Sequence, residues 1–166
     1  MKITSPRFLS FIPFIFTWEG GYDNDPNDPG GETKFGIDKR SHPEEDIKNL
    51  TKDRAAEIYY ESYWVKFQCE YLPKYVGEVV MNISVNAGPA RAARWLQETV
   101  GAKVDGDIGP VTLDVVKGFE SFRVAQVLLD RTEEHYRSIA RGRLARFLKG
   151  WLNRNNALRK FLKIDF

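Results

Sequence analysis

The sequence predicts a mainly α chain, a helical bundle with one small β-hairpin lobe. Three observations carry this. Apolar residues recur every three or four positions in several segments bounded by glycine, proline or capping residues. One stretch, Glu32-Thr-Lys-Phe-Gly-Ile37, is short enough for one or two small strands. No strand–helix–strand alternation of the kind a parallel sheet needs is present.

The elements follow in order. Phe8, Ile12, Ile15 and Trp18 recur at helical spacing, so residues 6–18 read as a first, core-facing helix ended by Gly20-Gly21. Asp23 to Gly31 is dense in turn formers. Thr51 reads as the N-cap of a helix carrying Ala55, Ile58, Tyr59 and Tyr63. Pro73 suits the first turn of the next helix, which carries Val76, Val79, Val80 and Ile83 and stops at Gly88-Pro89. Residues 90–100 form another, closed by Gly101. A turn at 105–110 leads into a short helix at 111–116, with Pro110 at an early helical position. Residues 119–142 read as the longest helix, and 147–162 as one or two short ones around Asn155-Asn156.

Length and composition restrict the function classes. The 166 residues suit one domain or two small lobes; 42% hydrophobic and 29% charged residues exclude a disordered chain. One cysteine, Cys69, excludes a disulfide framework, and His42 and His135 are too few for a His-rich metal site. The net charge of +2 hides an asymmetry: from Arg137 to Lys163 there are nine Lys or Arg and no acid. Such a run is either a solvated helical face or a patch for an anionic surface such as wall, membrane or nucleic acid. No apolar stretch is long enough to span a membrane, so no stable membrane insertion is expected. Phe8–Trp18 has the character of a signal-peptide core, but Glu19-Gly-Gly-Tyr22 follows it instead of a small-residue cleavage site.

The chemistry concentrates after the first helix. Glu19 ends an apolar run beside two glycines, where partial desolvation would raise its pKa and suit a general acid, and where a bulky substrate could approach. A solvated helix-end glutamate would look the same. Asp23, Asp25, Asp28 and Glu32 follow within a short span. Glycoside hydrolysis needs a proton donor and a second group that stabilises the oxocarbenium ion or activates water. Asp28 or Asp25 is the natural partner of Glu19, although aspartates in such loops also cap turns. Asp23-x-Asp25-x-Asn27 imitates an EF-hand start, but Asp28 and Lys34 occupy the positions that need glycine and glutamate, which argues against calcium. No nucleophile elbow and no phosphate-binding glycine loop is present.

Glu19-Gly-Gly-Tyr22 followed by Asp25-Pro-Asn-Asp-Pro-Gly-Gly-Glu-Thr-Lys-Phe-Gly-Ile37 resembles the signature of glycoside hydrolase family 108, lysozyme-like N-acetylmuramidases of bacteria and their phages. Val85-Asn-Ala-Gly88, Trp95-Leu-Gln97, Asp105-Gly-Asp-Ile-Gly-Pro-Val-Thr-Leu113 and Phe147–Arg154 resemble the predicted peptidoglycan-binding region that follows in that family. The resemblance implies a lysozyme-like fold, with residues 1–88 as the catalytic region and 89–166 as the helical peptidoglycan-binding region; the two are expected to pack as one integrated fold, because the residues after Gly88 would bury only a small core by themselves. It implies Glu19 as the acid that cuts the β-1,4 bond between N-acetylmuramic acid and N-acetylglucosamine, with Asp28 as its partner. Tyr22, Asp25, Thr33, Phe35 and Asn86 would contact the glycan. Asn82 stands where relatives often carry aspartate, so no carboxylate is expected to act from that helix. Trp95 and Trp151 are expected in the core rather than as sugar platforms.

The expected function is therefore peptidoglycan hydrolysis without metal or organic cofactor. The expected partner is the glycan strand, not nucleic acid. The chain is expected to be made in the cytoplasm and to act on the wall after lysis or partner-dependent export, through a holin or a secretion apparatus. Two alternatives use the same features: a lytic transglycosylase with the same Glu19, and a non-catalytic wall-binding or secretion-accessory protein.

Overall fold

The computed structural model describes residues 1–24 and 31–164. The chain divides into two compact units, Met1–Ser62 and Tyr63–Phe166. The described residues are mostly helical, with one two-stranded antiparallel sheet.

In the first unit, helix α1 spans Pro6–Trp18. Ser5 caps it by accepting from the Phe8 amide at 2.9 Å, and Pro6 occupies the first turn, where a missing N–H costs nothing. Phe8, Phe11, Ile12, Phe14 and Ile15 are buried, the stripe that the sequence spacing outlined. Pro13 lies inside the helix yet is exposed, so its ring faces away from that stripe. Strands β1 (Thr33–Lys34) and β2 (Ile37–Asp38) pair with Thr33 opposite Asp38 and Lys34 opposite Ile37. Their two-residue turn places both Phe35 (φ 53°) and Gly36 (φ 75°) in the left-handed region, the type I′ geometry that matches strand twist. Helix α2 spans Lys52–Tyr59, with Thr51 accepting from the Arg54 amide as predicted. Arg54 forks onto the Glu45 carboxylate and also reaches Glu57, tying the loop before α2 to the helix.

A π-helical segment, Tyr60–Val65, follows α2 directly, and the boundary between the units falls inside it. In the second unit, α3 (Val76–Ala87), α4 (Pro89–Val100) and α6 (Ser121–Ile139) pack on one another, and α7 (Leu148–Phe161) packs on α6. The short α5 spans Pro110–Lys117, and a 3-10 helix, Gly142–Phe147, leads into α7.

Three expectations are refined. Pro73 lies before α3 rather than in its first turn, because Tyr75 takes a positive φ of 75° and starts the helix anew at Val76. The last helix is one continuous helix through Asn155-Asn156: Asn155 is buried and donates to the Leu129 carbonyl at 3.0 Å, so it packs α7 on α6, while Asn156 is exposed. The longest helix ends at Ile139, three residues short of Gly142.

The Trp95-Leu-Gln97 and Asp105–Thr112 segments form one structural device. Gln97 is fully buried. Its amide nitrogen donates to Asp105 Oδ1, the Asp107 carbonyl and Thr112 Oγ1 at 2.7, 2.9 and 3.2 Å. Its oxygen accepts from the Asp105 and Gly106 amides at 3.1 and 2.9 Å. The loop is wound around one side chain, and Pro110 opens α5.

Candidate active site

Glu19 is the residue at which α1 stops. Its amide still donates to the Ile15 carbonyl at 3.1 Å, but its own backbone is extended (φ −91°, ψ 138°), and the side chain is half-buried. Gly20 has open space around its Cα, and its carbonyl accepts from the Phe35 amide at 3.1 Å. That bond ties the hairpin turn to the helix end.

The turn then closes onto the carboxyl. A Cβ placed on Gly36 would stand 2.6 Å from Glu19 Oε2 and 2.5 Å from the Tyr59 hydroxyl. Gly36 is thus a bare patch of backbone against which both groups lie. Tyr59, from α2, is buried and donates to the Phe35 carbonyl at 2.8 Å. Phe16 packs against Phe35 and edge-on against Tyr59, with centroids 5.7 and 6.0 Å away. Three elements, α1, the hairpin and α2, therefore meet at one carboxyl.

The other expected residues distribute as follows. Thr33 sits on β1, and its backbone forms an antiparallel bridge with Asp23 through two 2.8 Å bonds. Tyr22 is exposed and donates to the Glu32 carboxylate at 2.9 Å; that bond and the Glu32 charge push its phenol up. Phe35 is at the hairpin tip. Asn86 is exposed on α3, in the second unit. Asp25 and Asp28 lie outside the described residues, as does the Asp25–Asn27 part of the calcium-like pattern. Among the described residues no cluster of three or more His, Cys, Asp or Glu could hold a metal. Cys69 is a buried thiol.

The sequence singled out neither Gly36 nor the bond made by Tyr59. The adjacent Phe-Gly between two short apolar–polar stretches is the one signal that could have marked the tight turn. In the second unit, Arg154 is buried, with its Nε donating to Asn82 Oδ1 at 3.0 Å. Asn82 thus serves as a neutral acceptor inside the helical packing. A groove of about 940 Å³ also runs along α1 and α2, lined by Leu9, Ile12, Pro13, Phe16 and Ala56, among others. Glu19 is not in its wall.

A family model for glycosyl hydrolase 108 matches residues 12–88, the stretch that contains Glu19, the hairpin and Tyr59. A second, for a predicted peptidoglycan domain, matches residues 91–156. The solved structure of SagA from Brucella abortus superposes with a TM-score of 0.80, at 34% identity over 94% of this chain and 93% of that one. This chain belongs to glycosyl hydrolase family 108. It carries the peptidoglycan-binding region after the hydrolase region and has the mainly helical, lysozyme-like fold of its relative. It is a glycoside hydrolase acting on peptidoglycan. The search of curated proteins returned no match.

Proposed function

We propose that this hydrolase is an N-acetylmuramidase, cutting the β-1,4 bond between N-acetylmuramic acid and N-acetylglucosamine with Glu19 as general acid. One observation carries the reading: Glu19 is half-buried at the point where α1, the hairpin tip and Tyr59 converge. A proton donor must keep its place while the leaving oxygen gains charge, and a carboxyl braced by Gly36 and Tyr59 is held in that way. The bare Gly20-Gly21 that follows leaves room for a sugar chain.

Glu19 gives its proton to the bridging oxygen, and the sugar left behind takes on oxocarbenium character. Asp28 is the proposed second carboxylate, stabilising that charge or activating water. Tyr22, Asp25, Thr33 and Phe35 are proposed to contact the glycan. Water completes the reaction.

The test is the chemistry of the products. Mass spectrometry of sacculi digested by the protein should find new N-acetylmuramic acid reducing ends. New N-acetylglucosamine reducing ends would assign the other bond. Anhydro-muramyl ends would mean that the sugar's own 6-hydroxyl replaces water, as in a lytic transglycosylase.

A further inference from the structure

The second unit carries a row of aromatic rings. Tyr136 on α6 stacks on Trp151 of α7, with centroids 5.3 Å apart and planes 28° from parallel. Trp151 stacks in turn on Phe147, at 5.9 Å and 29°. Burial falls along the row: Tyr136 is 3% exposed, Trp151 is half-buried, and Phe147 is 42% exposed. Trp151 is thus the middle ring of a stack that opens to the surface, where the sequence suggested a core residue.

The open end is cationic. The Arg146 guanidinium lies 4.7 Å from the Phe147 ring centroid. The 3-10 helix Gly142–Phe147 buries none of its residues, so Arg141, Arg143 and Arg146 are exposed in and beside it. No acid occurs between Arg137 and Lys163. Other cations of the run are engaged: Arg137 with Glu133, Arg159 with Asp130, and Arg154 with Asn82. Arg141, Arg143 and Arg146 thus place three exposed cations within six residues of Phe147, as part of a run that also includes the exposed Lys149, Lys160 and Lys163.

We propose that Phe147, Trp151, Arg141, Arg143 and Arg146 form a binding site for peptidoglycan as an acidic glycopeptide, the sugar chain meeting the rings and the stem-peptide carboxylates meeting the guanidinium groups. The exposed part of Phe147, left open by the stacked Trp151 and the overlying Arg146, presents apolar C–H surface to a sugar. The Arg146 guanidinium over that ring, with the exposed Arg141 and Arg143 nearby in sequence, selects a glycan whose stem peptides carry carboxylates. Neither feature alone defines the ligand. A ring platform would take neutral sugars, and a cationic patch would take any polyanion. The site deepens the peptidoglycan reading of the family region and rests on it. It lies wholly in the second unit and uses no residue of the Glu19 site.

The experiment uses the full chain carrying Glu19→Gln, co-sedimented with purified sacculi. Phe147→Ala and Arg146→Gln are added singly and together, with circular dichroism and thermal melting to confirm folding. Both side chains are exposed, so the fold should survive. The double variant should lower apparent affinity about tenfold or more, and raised salt should weaken the parent chain more than the double variant. On the Glu19 background, hydrolysis of a short soluble glycan should stay within about twofold of the parent. Sacculus affinity unchanged by the double variant would overturn the site. So would a selective loss of binding to duplex DNA or to anionic vesicles, which would assign the patch to another polyanion. Loss of lysis by Glu19→Gln is read separately, so the catalytic and binding proposals fail independently.

Discussion

Gly36 and Glu19 are in such close register that a single added carbon at Gly36 would stand 2.6 Å from the carboxyl oxygen. Two constraints coincide at that glycine. Its φ of 75° disfavours any side chain, and the space a side chain would need is filled by Glu19 and Tyr59. Gly36→Ala should therefore cost about 1–3 kcal/mol of stability. It should also lower the rate of glycan hydrolysis on the order of 10²-fold, the scale of a catalytic group displaced by about 1 Å. Thermal melting and wall-lysis rates on the same preparation check both parts.

Tyr59→Phe removes the 2.8 Å bond to the Phe35 carbonyl without altering the ring packing on Phe16. The hairpin tip then loses its tie to α2. Stability should fall by about 1 kcal/mol. The turnover rate should fall by about tenfold with a smaller rise in KM, because the loosened hairpin tip both braces the carboxyl and carries Phe35. A change confined to KM would show that the hydroxyl touches substrate instead.

Gln97→Leu tests the loop device in the second unit. It would leave the buried-side amides of Asp105 and Gly106 without their acceptor. A loss of about 3 kcal/mol in denaturant unfolding is expected, since each orphaned donor costs about 1–3 kcal/mol. An effect below about 1 kcal/mol would mean that water replaces the amide readily.

The Glu45–Arg54 fork predicts a pH dependence. Hydrogen bonding to Arg54, and its charge, hold the Glu45 carboxyl below the usual carboxylate range, while desolvation works against them. A depressed folded-state pKa means that the contribution is present above the unfolded value and disappears as pH falls through the folded one. Arg54 is partly exposed, so the contribution stays below about 1 kcal/mol. Glu45→Gln should thus be slightly less stable than the parent at pH 7 and indistinguishable from it near pH 2. A difference that persisted or grew in acid would contradict the assignment.

Local rules account for the legible parts of the fold. Ser/Thr caps, Pro at early helical positions and Gly after helix ends act within a few residues: α1, α4 and α5 begin and end, and α2 begins, close to where those signals stand. The start of α3 was not legible, because Tyr75 is held at a positive φ that no residue-type preference reveals. Asn155-Asn156 left the choice of one helix or two open because asparagine favours turns; the bond of Asn155 to the Leu129 carbonyl depends on a helix distant in sequence. The same division holds at the site. Glu19 stood out by its neighbours, an apolar helix and two glycines. The part played by Gly36 and Tyr59 needs the hairpin folded against α1 and α2, which only the three-dimensional structure supplies.

The most direct test of the account is the lytic rate of Glu19→Gln on purified sacculi, measured beside the parent with matched folding and wall binding. The amide keeps the size of the side chain and removes the transferable proton. The account predicts a fall on the order of 10²- to 10⁴-fold with binding retained. Lysis at the parental rate would contradict it and move the chemistry to another residue.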